Sequence, residues 1–240
     1  MRDAAIWFKT GSGDVGLMVY FVANMPMVRN PMFLRMLGGL ALALMLSAGR
    51  VATADTGTEA ARAVVDKLNG ALIDVMRNAK QLGYQGRYKK LDPIVREVFQ
   101  FEAVAQIALG AHWKTLNDDQ KREFVKKLTE LSIATYAAQF NSYAGEQFQY
   151  DSDQAVKPDR VVVRYKMVAP KETPVKFDYM VNQFDGKWEI INIVVDGISD
   201  LALKKAQYTS VIDREGFDVL MSKLTQKITD YANNENNSKS

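Results

Sequence analysis

A single histidine, His112, stands in the 240-residue chain, and no cysteine does. One imidazole works as a general acid or base only with a nucleophile or an orienting carboxylate beside it. His112 is followed by Trp113 in a connection that offers it no Ser or Cys motif to serve, so it is expected to be a surface or capping residue. Composition excludes a multi-histidine metal centre, a thiolate zinc site, a disulfide framework and a cysteine nucleophile. Asp178 lies in a strand, where an open-sheet enzyme could place an acid or base. It alternates out of phase with Phe177 and Tyr179, however, and is expected to face solvent. Asn192 is flanked by apolar residues and is expected on the Trp188 and Ile190 side of its strand, where it must find partners. A satisfied structural amide and a ligand contact both stay open for it. Glu-x-x-His, phosphate-loop and dinucleotide-binding glycine patterns are absent.

With polar chemistry set aside, apolar and aromatic surface remains. Tyr136, Phe140, Tyr143, Tyr165, Phe177, Tyr179, Ile191, Ile193 and Phe217 are plentiful for one domain. Composition alone assigns them to a filled core.

The elements that must position these residues are organised around 117–140. Asn117 is the N-cap, Asp118 and Asp119 occupy the first turn, and Gln120 stands three residues after the cap. Phe124, Val125, Leu128 and Leu131 form one stripe, with Arg122, Glu123, Lys126, Lys127 and Glu130 around the rest. From Leu131 to Phe140 there is no charge, and the apolar residues spread around the whole circumference. This half is expected to be enclosed by protein.

Before it, 58–80 has the pattern of an amphipathic helix, with Ala61, Val64, Val65, Leu68, Leu72, Val75 and Met76 on one face. Gly83 and Gly86 are expected to end it, and Asp92-Pro93 to restart a second helix. A short helix over 102–109 stops at Gly110. After Gly145 the period switches from 3.6 to 2. Strands are expected at 147–152, 161–168, 175–181 and 188–195, with Asp185-Gly186 as a hairpin turn and Asp196-Gly197 closing the last strand. Helices return at 199–213 and 216–231. The order of elements is that of an α+β domain, helices packed on a curved four-stranded antiparallel sheet, similar to the NTF2-like arrangement.

The net charge of +3 comes from residues 1–54. From Asp55 onward 26 basic residues balance 26 acidic ones. A neutral domain without a basic stripe excludes nucleic acid as a partner. The leading residues have the pattern of a targeting segment: Arg29 and Arg35 in a short basic region, an apolar run over 36–48, and Ala52-Thr53-Ala54 as a cleavage site. That run is shorter than the roughly 20 residues a spanning helix needs. The expected division is an upstream extension and cleaved signal peptide over 1–54, one domain over 55–232, and a disordered polar tail over 233–240. A double-hydrophobic membrane anchor is the competing expectation for the first part.

The ordered set FEAVAQIALGAHW (101–113), NSYAGEQFQY (141–150), KWEIINIVVDGIS (187–199) and EGFDVLMSKLTQKI (215–228) resembles the MlaC / toluene-tolerance family of periplasmic phospholipid carriers. The wording TYAAQF (135–140) and LALKKAQYTSVIDREGF (201–217) is similar to its hopanoid-locus branch, the HpnM type. The resemblance implies a periplasmic lipid shuttle with no enzymatic activity, cofactor or metal, and an apolar pocket between concave sheet and helices. Val163, Tyr165, Phe177, Tyr179, Val181, Ile191 and Ile193 would line it from the sheet, and Tyr136, Phe140, Tyr143 and Phe217 from elsewhere. Its implied partners are a phospholipid or hopanoid-type lipid, an inner-membrane ABC–MCE complex or other lipid exporter, and an outer-membrane acceptor. The alternative from another class is an NTF2-like enzyme acting on a small apolar substrate, which would need convergent polar groups in a smaller cavity.

Overall fold

The computed structural model describes residues 56–237. The expected signal peptide and its cleavage site lie outside the described residues. Helix α1 (Thr56–Arg77) forms as its apolar spacing demands: Ala61, Val65, Leu68, Leu72, Val75 and Met76 are all buried. Asn78 follows, donating from its Nδ2 to the Asp74 carbonyl at 2.8 Å.

Helix α2 (Ala79–Val98) corrects the expected restart at Asp92-Pro93. The expected interruption at Gly83 is present: at φ 58°, ψ −177° this residue is non-helical and divides the run into two helical pieces across a kink. Pro93 sits inside the helix instead of opening a new one. Proline deprives the carbonyl four residues earlier of its partner, and that carbonyl belongs to solvent-exposed Lys89, which water can serve.

Helix α3 (Phe101–Leu109) starts where Gln100 accepts from the Glu102 N–H and stops at Gly110, whose φ is 56°. A 3-10 segment, Gly110–Thr115, leads to α4 (Asp118–Gln139). Both arms of the expected capping box are made, Gln120 N–H to Asn117 Oδ1 at 2.9 Å and Asn117 N–H to Gln120 Oε1 at 3.0 Å. No residue from Lys127 to Phe140 is exposed, so the second half of α4 is enclosed as its composition requires.

Arg87 is fully buried on α2. Its Nε donates to the Ala137 carbonyl at 2.7 Å, in the last turn of α4, where helix carbonyls lack intrahelical partners. An Nη donates to the Ala79 carbonyl at 3.1 Å, four residues before the Gly83 bend. One guanidinium thus serves two buried carbonyls, one in the last turn of α4 and one just before the Gly83 kink. Arg87→Leu is expected to cost about 2–4 kcal/mol, the price of stranding them, read as a lower midpoint in urea unfolding with little change in slope.

The sheet runs in the order β1 (Gln147–Lys157), β2 (Arg160–Val168), β3 (Val175–Phe184), β4 (Lys187–Val195) and β5 (Ile198–Ser199), antiparallel throughout. Asp185-Gly186 and Asp196-Gly197 both have positive φ at both residues, the requirement of the tight hairpin turn. The second turn corrects the strand count from four to five: it folds Ile198 and Ser199 back onto Val195 and Val194. β1 extends five residues beyond the expected end because its polar second half pairs with Val161–Arg164 of β2, and such pairing overrides weak strand propensity.

A register shift in β3–β4 corrects a second expectation. Met180 pairs with Asn192 and Val181 with Ile190, leaving Ile191 as the extra residue of a bulge. Parity therefore resets, and Asn192 lies on the Met180 face, opposite Trp188 and Ile190. There its Oδ1 accepts from Ser199 Oγ and from the Leu201 N–H, both at 3.1 Å. Asn192 and Ser199 together cap helix α5 (Asp200–Glu215). Helix α6 (Phe217–Asn237) closes the chain and runs into the polar stretch after Asn233. The helices layer unequally: α1 touches β1, β2, β3 and β4, whereas α4 packs on α2, α3 and α6.

Candidate functional site

The sheet face beneath α1 is built by cross-strand register. Val163 stands opposite Tyr179, and Tyr179 opposite Ile193; Tyr165 stands opposite Phe177; Val161 opposite Val181, and Val181 opposite Ile190. Paired residues share a face, so this is one continuous apolar surface across three strands. Val163, Val181, Ile193 and Tyr179 are buried in it, and Phe177 is half-buried at its margin. Edge-on and stacked ring contacts tie the aromatics together: Phe148 to Phe177 at 5.4 Å, Phe177 to Tyr179 at 6.1 Å, Tyr165 to Tyr179 at 6.1 Å.

Polar contacts cross this layer along one diagonal. Arg62 lies over the Tyr150 ring at 5.0 Å, and the Tyr150 hydroxyl donates to Asp153 at 2.7 Å. Tyr165 donates to Asp66, and Tyr179 donates to Asn69 Oδ1 at 2.7 Å. The helix partners are spaced four and three residues apart, one face of α1. Their tyrosines come from β1, β2 and β3 in turn and go steadily deeper, from 46% exposed at Tyr150 through 4% at Tyr165 to 1% at Tyr179. Burial, with the Asp66 contact second, raises the Tyr165 pKa. Burial raises that of Tyr179 as well, with nearby Tyr136 adding to it and the Asn69 bond opposing. Both phenols stay neutral at any physiological pH, and the interior of the layer carries no charge.

The structure brings most of the sequence-derived residues to this layer and leaves others out. Tyr136 and Phe140 close its helical side: their rings lie 6.0 Å apart, and Tyr136 also meets Phe99 at 6.1 Å. Phe99 is pinned there by a parallel bridge to Ile190. Burial pushes the Tyr136 hydroxyl up, nearby Asp200 adding to it. Ile191 sits in the β4 bulge and is buried. Phe217 is not in this group; it packs on Phe124 at 6.3 Å, three turns before Tyr136 on α4. Tyr143 is at the surface with Arg77 over its ring at 5.2 Å. Sequence reasoning passed over Asn69, Asp66, Arg62 and Tyr150. Asn69 had a signal: it falls four residues after Val65 and three before Leu72, on the apolar stripe.

The side chains of this layer are buried together in one apolar cluster. Two open depressions of about 430 Å³ each lie away from it. One runs between the start of α4 and α6 and includes Phe217 and Met221; the other includes Trp113, Arg96 and Lys121. Among the described residues, no three His, Cys, Asp or Glu group closely enough to hold a metal, and no helix is long and apolar enough to cross a membrane.

The candidate acid–base residues have structural partners. His112 Nε2 lies 3.0 Å from Asp213 Oδ1 on α5, and Asp178 lies on the outer sheet face with Arg164 Nε at 3.9 Å. His112→Ala and Asp178→Asn are each expected to leave the cellular phenotype nearly unchanged. Complete loss of function in either folded variant would instead establish a chemical role.

Comparison with known proteins gives a consistent picture. The family model described as MlaC protein matches residues 66–226. The chain is 23% identical over 161 residues to the intermembrane phospholipid transport system binding protein MlaC of Haemophilus influenzae, covering 64% of this chain and 74% of that protein. In fold it is similar to a phospholipid-binding protein from Ralstonia solanacearum solved in complex with a phospholipid. The TM-score is 0.63 and the identity 22%, over 73% of this chain and 98% of the other.

Proposed function

The chain belongs to the MlaC family, and from that premise we propose that it is a non-enzymatic periplasmic carrier that moves phospholipid between the inner and outer membranes. One observation supports the reading most: a sheet face of aromatic and β-branched side chains is covered chiefly by α1, the helix that touches β1, β2, β3 and β4, with no charge inside. Acyl chains would occupy the layer between α1 and the sheet, against Val163, Tyr165, Phe177, Tyr179, Val181 and Ile193, with Ile191, Tyr136 and Phe140 behind. Phe217 and Tyr143, remote from that layer, would contribute at most to its surroundings. The chains would slide beneath α1 and keep the sheet face covered, so little apolar surface meets water when the layer opens at its rim. Loading and unloading would take place on an inner-membrane ABC–MCE complex, or another lipid exporter, and on an outer-membrane acceptor. A hopanoid-type lipid is the other cargo to which the 135–140 and 201–217 wording points.

The segment 1–54 would direct export and be removed at Ala54, leaving one lipid-binding domain over 55–232 and a short polar tail. Native mass spectrometry of protein from the periplasm of the producing cell tests both parts at once. The expected mass is that of a chain beginning at or near Asp55 plus a lipid. Mature protein carrying no lipid would defeat the carrier assignment, and an intact 36–48 segment in a membrane fraction would defeat the processing assignment.

A further inference from the structure

The Asn69 side chain is only 4% exposed, and its Nδ2 has no hydrogen-bond partner among the described residues. An unserved amide N–H₂ in an apolar layer costs about as much as a lost hydrogen bond, so such groups are normally paired. Its Oδ1 accepts from the Tyr179 hydroxyl, which leaves Nδ2, a pure donor, as the group to be served. The complementary group must therefore be an acceptor oxygen that can reach an otherwise apolar interior.

The polarity along this face of α1 is graded. Arg62 provides a cation at the rim, Asp66 with Tyr165 is the middle pair, Asn69 provides a donor one turn deeper, and buried Leu72 and Met76 follow. A diacyl phospholipid has the same order of groups: an anionic phosphate, ester carbonyls a few bonds below it, then hydrocarbon. The fused rings of a hopanoid offer no acceptor at that depth. We propose that Asn69, held by Tyr179, donates from Nδ2 to an acyl ester carbonyl of the bound lipid and so selects ester-linked glycerophospholipids. This rests on the carrier function proposed above and names its cargo class.

The test uses the mature protein stripped of lipid and incubated with vesicles containing equal amounts of a diacyl phosphatidylglycerol and its dialkyl ether analogue. The re-isolated protein is then assayed for both lipids by mass spectrometry. The ether analogue keeps head group and chains and lacks only the carbonyls. Wild type is expected to favour the ester by about fivefold, the equivalent of one net hydrogen bond. The Asn69→Leu, Tyr179→Phe double variant removes donor and orienter together, which strands neither, and is expected to lose the preference. Asn69→Leu alone serves if the double variant does not fold. Equal uptake by wild type, as expected if Asn69 holds only a buried water, overturns the inference and leaves the carrier function standing. A folded variant that keeps the preference also overturns it, because the carbonyl is then held elsewhere. Uptake of neither lipid defeats the carrier function itself, and this inference with it.

Discussion

Phe177→Lys is expected to reduce lipid co-purification to background while the domain stays folded. Phe177 is the residue of choice because it is half-buried, whereas Tyr179 beside it is 1% exposed and anchors Asn69. In the lipid-free protein a lysine there can run its stem along Phe148 and place its ammonium in water. With acyl chains against the same strand, that ammonium would be surrounded by hydrocarbon, at a cost of several kcal/mol. The substitution therefore acts chiefly on the loaded state. Met180→Lys is the matching control, also half-buried and in the same strand but on the opposite face; it should retain its lipid. Circular dichroism and thermal unfolding establish that both variants fold. A folded Phe177→Lys protein with its full lipid complement would place the binding surface elsewhere.

The residues that set this surface were legible where local chemistry decides the structure. The Asn117–Gln120 capping box, the Asp185-Gly186 turn and the alternation of Val163, Tyr165, Phe177 and Tyr179 are short-range signals, and the structure bears out each. Features set by distant partners were not legible. Nothing near Ile191 announces a bulge; it is imposed by pairing with β3, and its consequence is that Asn192 changes face and caps α5. Pro93 has the local chemistry of a helix start, and only the solvent access of the carbonyl behind it lets α2 continue. The diagonal of Arg62, Asp66 and Asn69 on α1 cannot be found without knowing which strand each crosses. Its third member was hidden because a lone Asn on an apolar stripe is easily counted as an imperfection of the stripe. Phe217 shows the converse failure, a correct aromatic on a correct helix stripe that faces a different neighbour.

Joining α1 to β1 with a short reducible linker, through Arg62→Cys and Tyr150→Cys, is expected to stop lipid uptake and exchange, with recovery on reduction. The chain has no cysteine of its own, so the pair is labelled uniquely. Burying a CH₂ is worth ~0.8 kcal/mol, and two chains of about 15 carbons give a gross term of roughly 20 kcal/mol or more. Against water, that makes spontaneous release far too slow to serve transport. Against a bilayer, where the chains are already dry, transfer is close to balance, and the barrier is set by opening the protein. On the proposed carrier function, the part to open is the α1–sheet layer, closed in this structure with Val163 and Val181 fully buried. Its polar fastening is weak enough to yield at the rim, where the two outer diagonal contacts reach solvent and are screened by it. A docking partner that supplies a few kcal/mol of contact with the rim could therefore part the outer end of α1 from the strands while the Tyr179–Asn69 contact holds deeper in the layer. A linker across the outermost contact removes that freedom and leaves the interior unchanged. The control is the same linker between Ala63→Cys and Lys67→Cys, two exposed positions one turn apart on α1, which does not tether the helix to the sheet. Exchange by the α1–β1 linked protein at the control's rate would mean that lipid enters by another route and that α1 is a fixed wall.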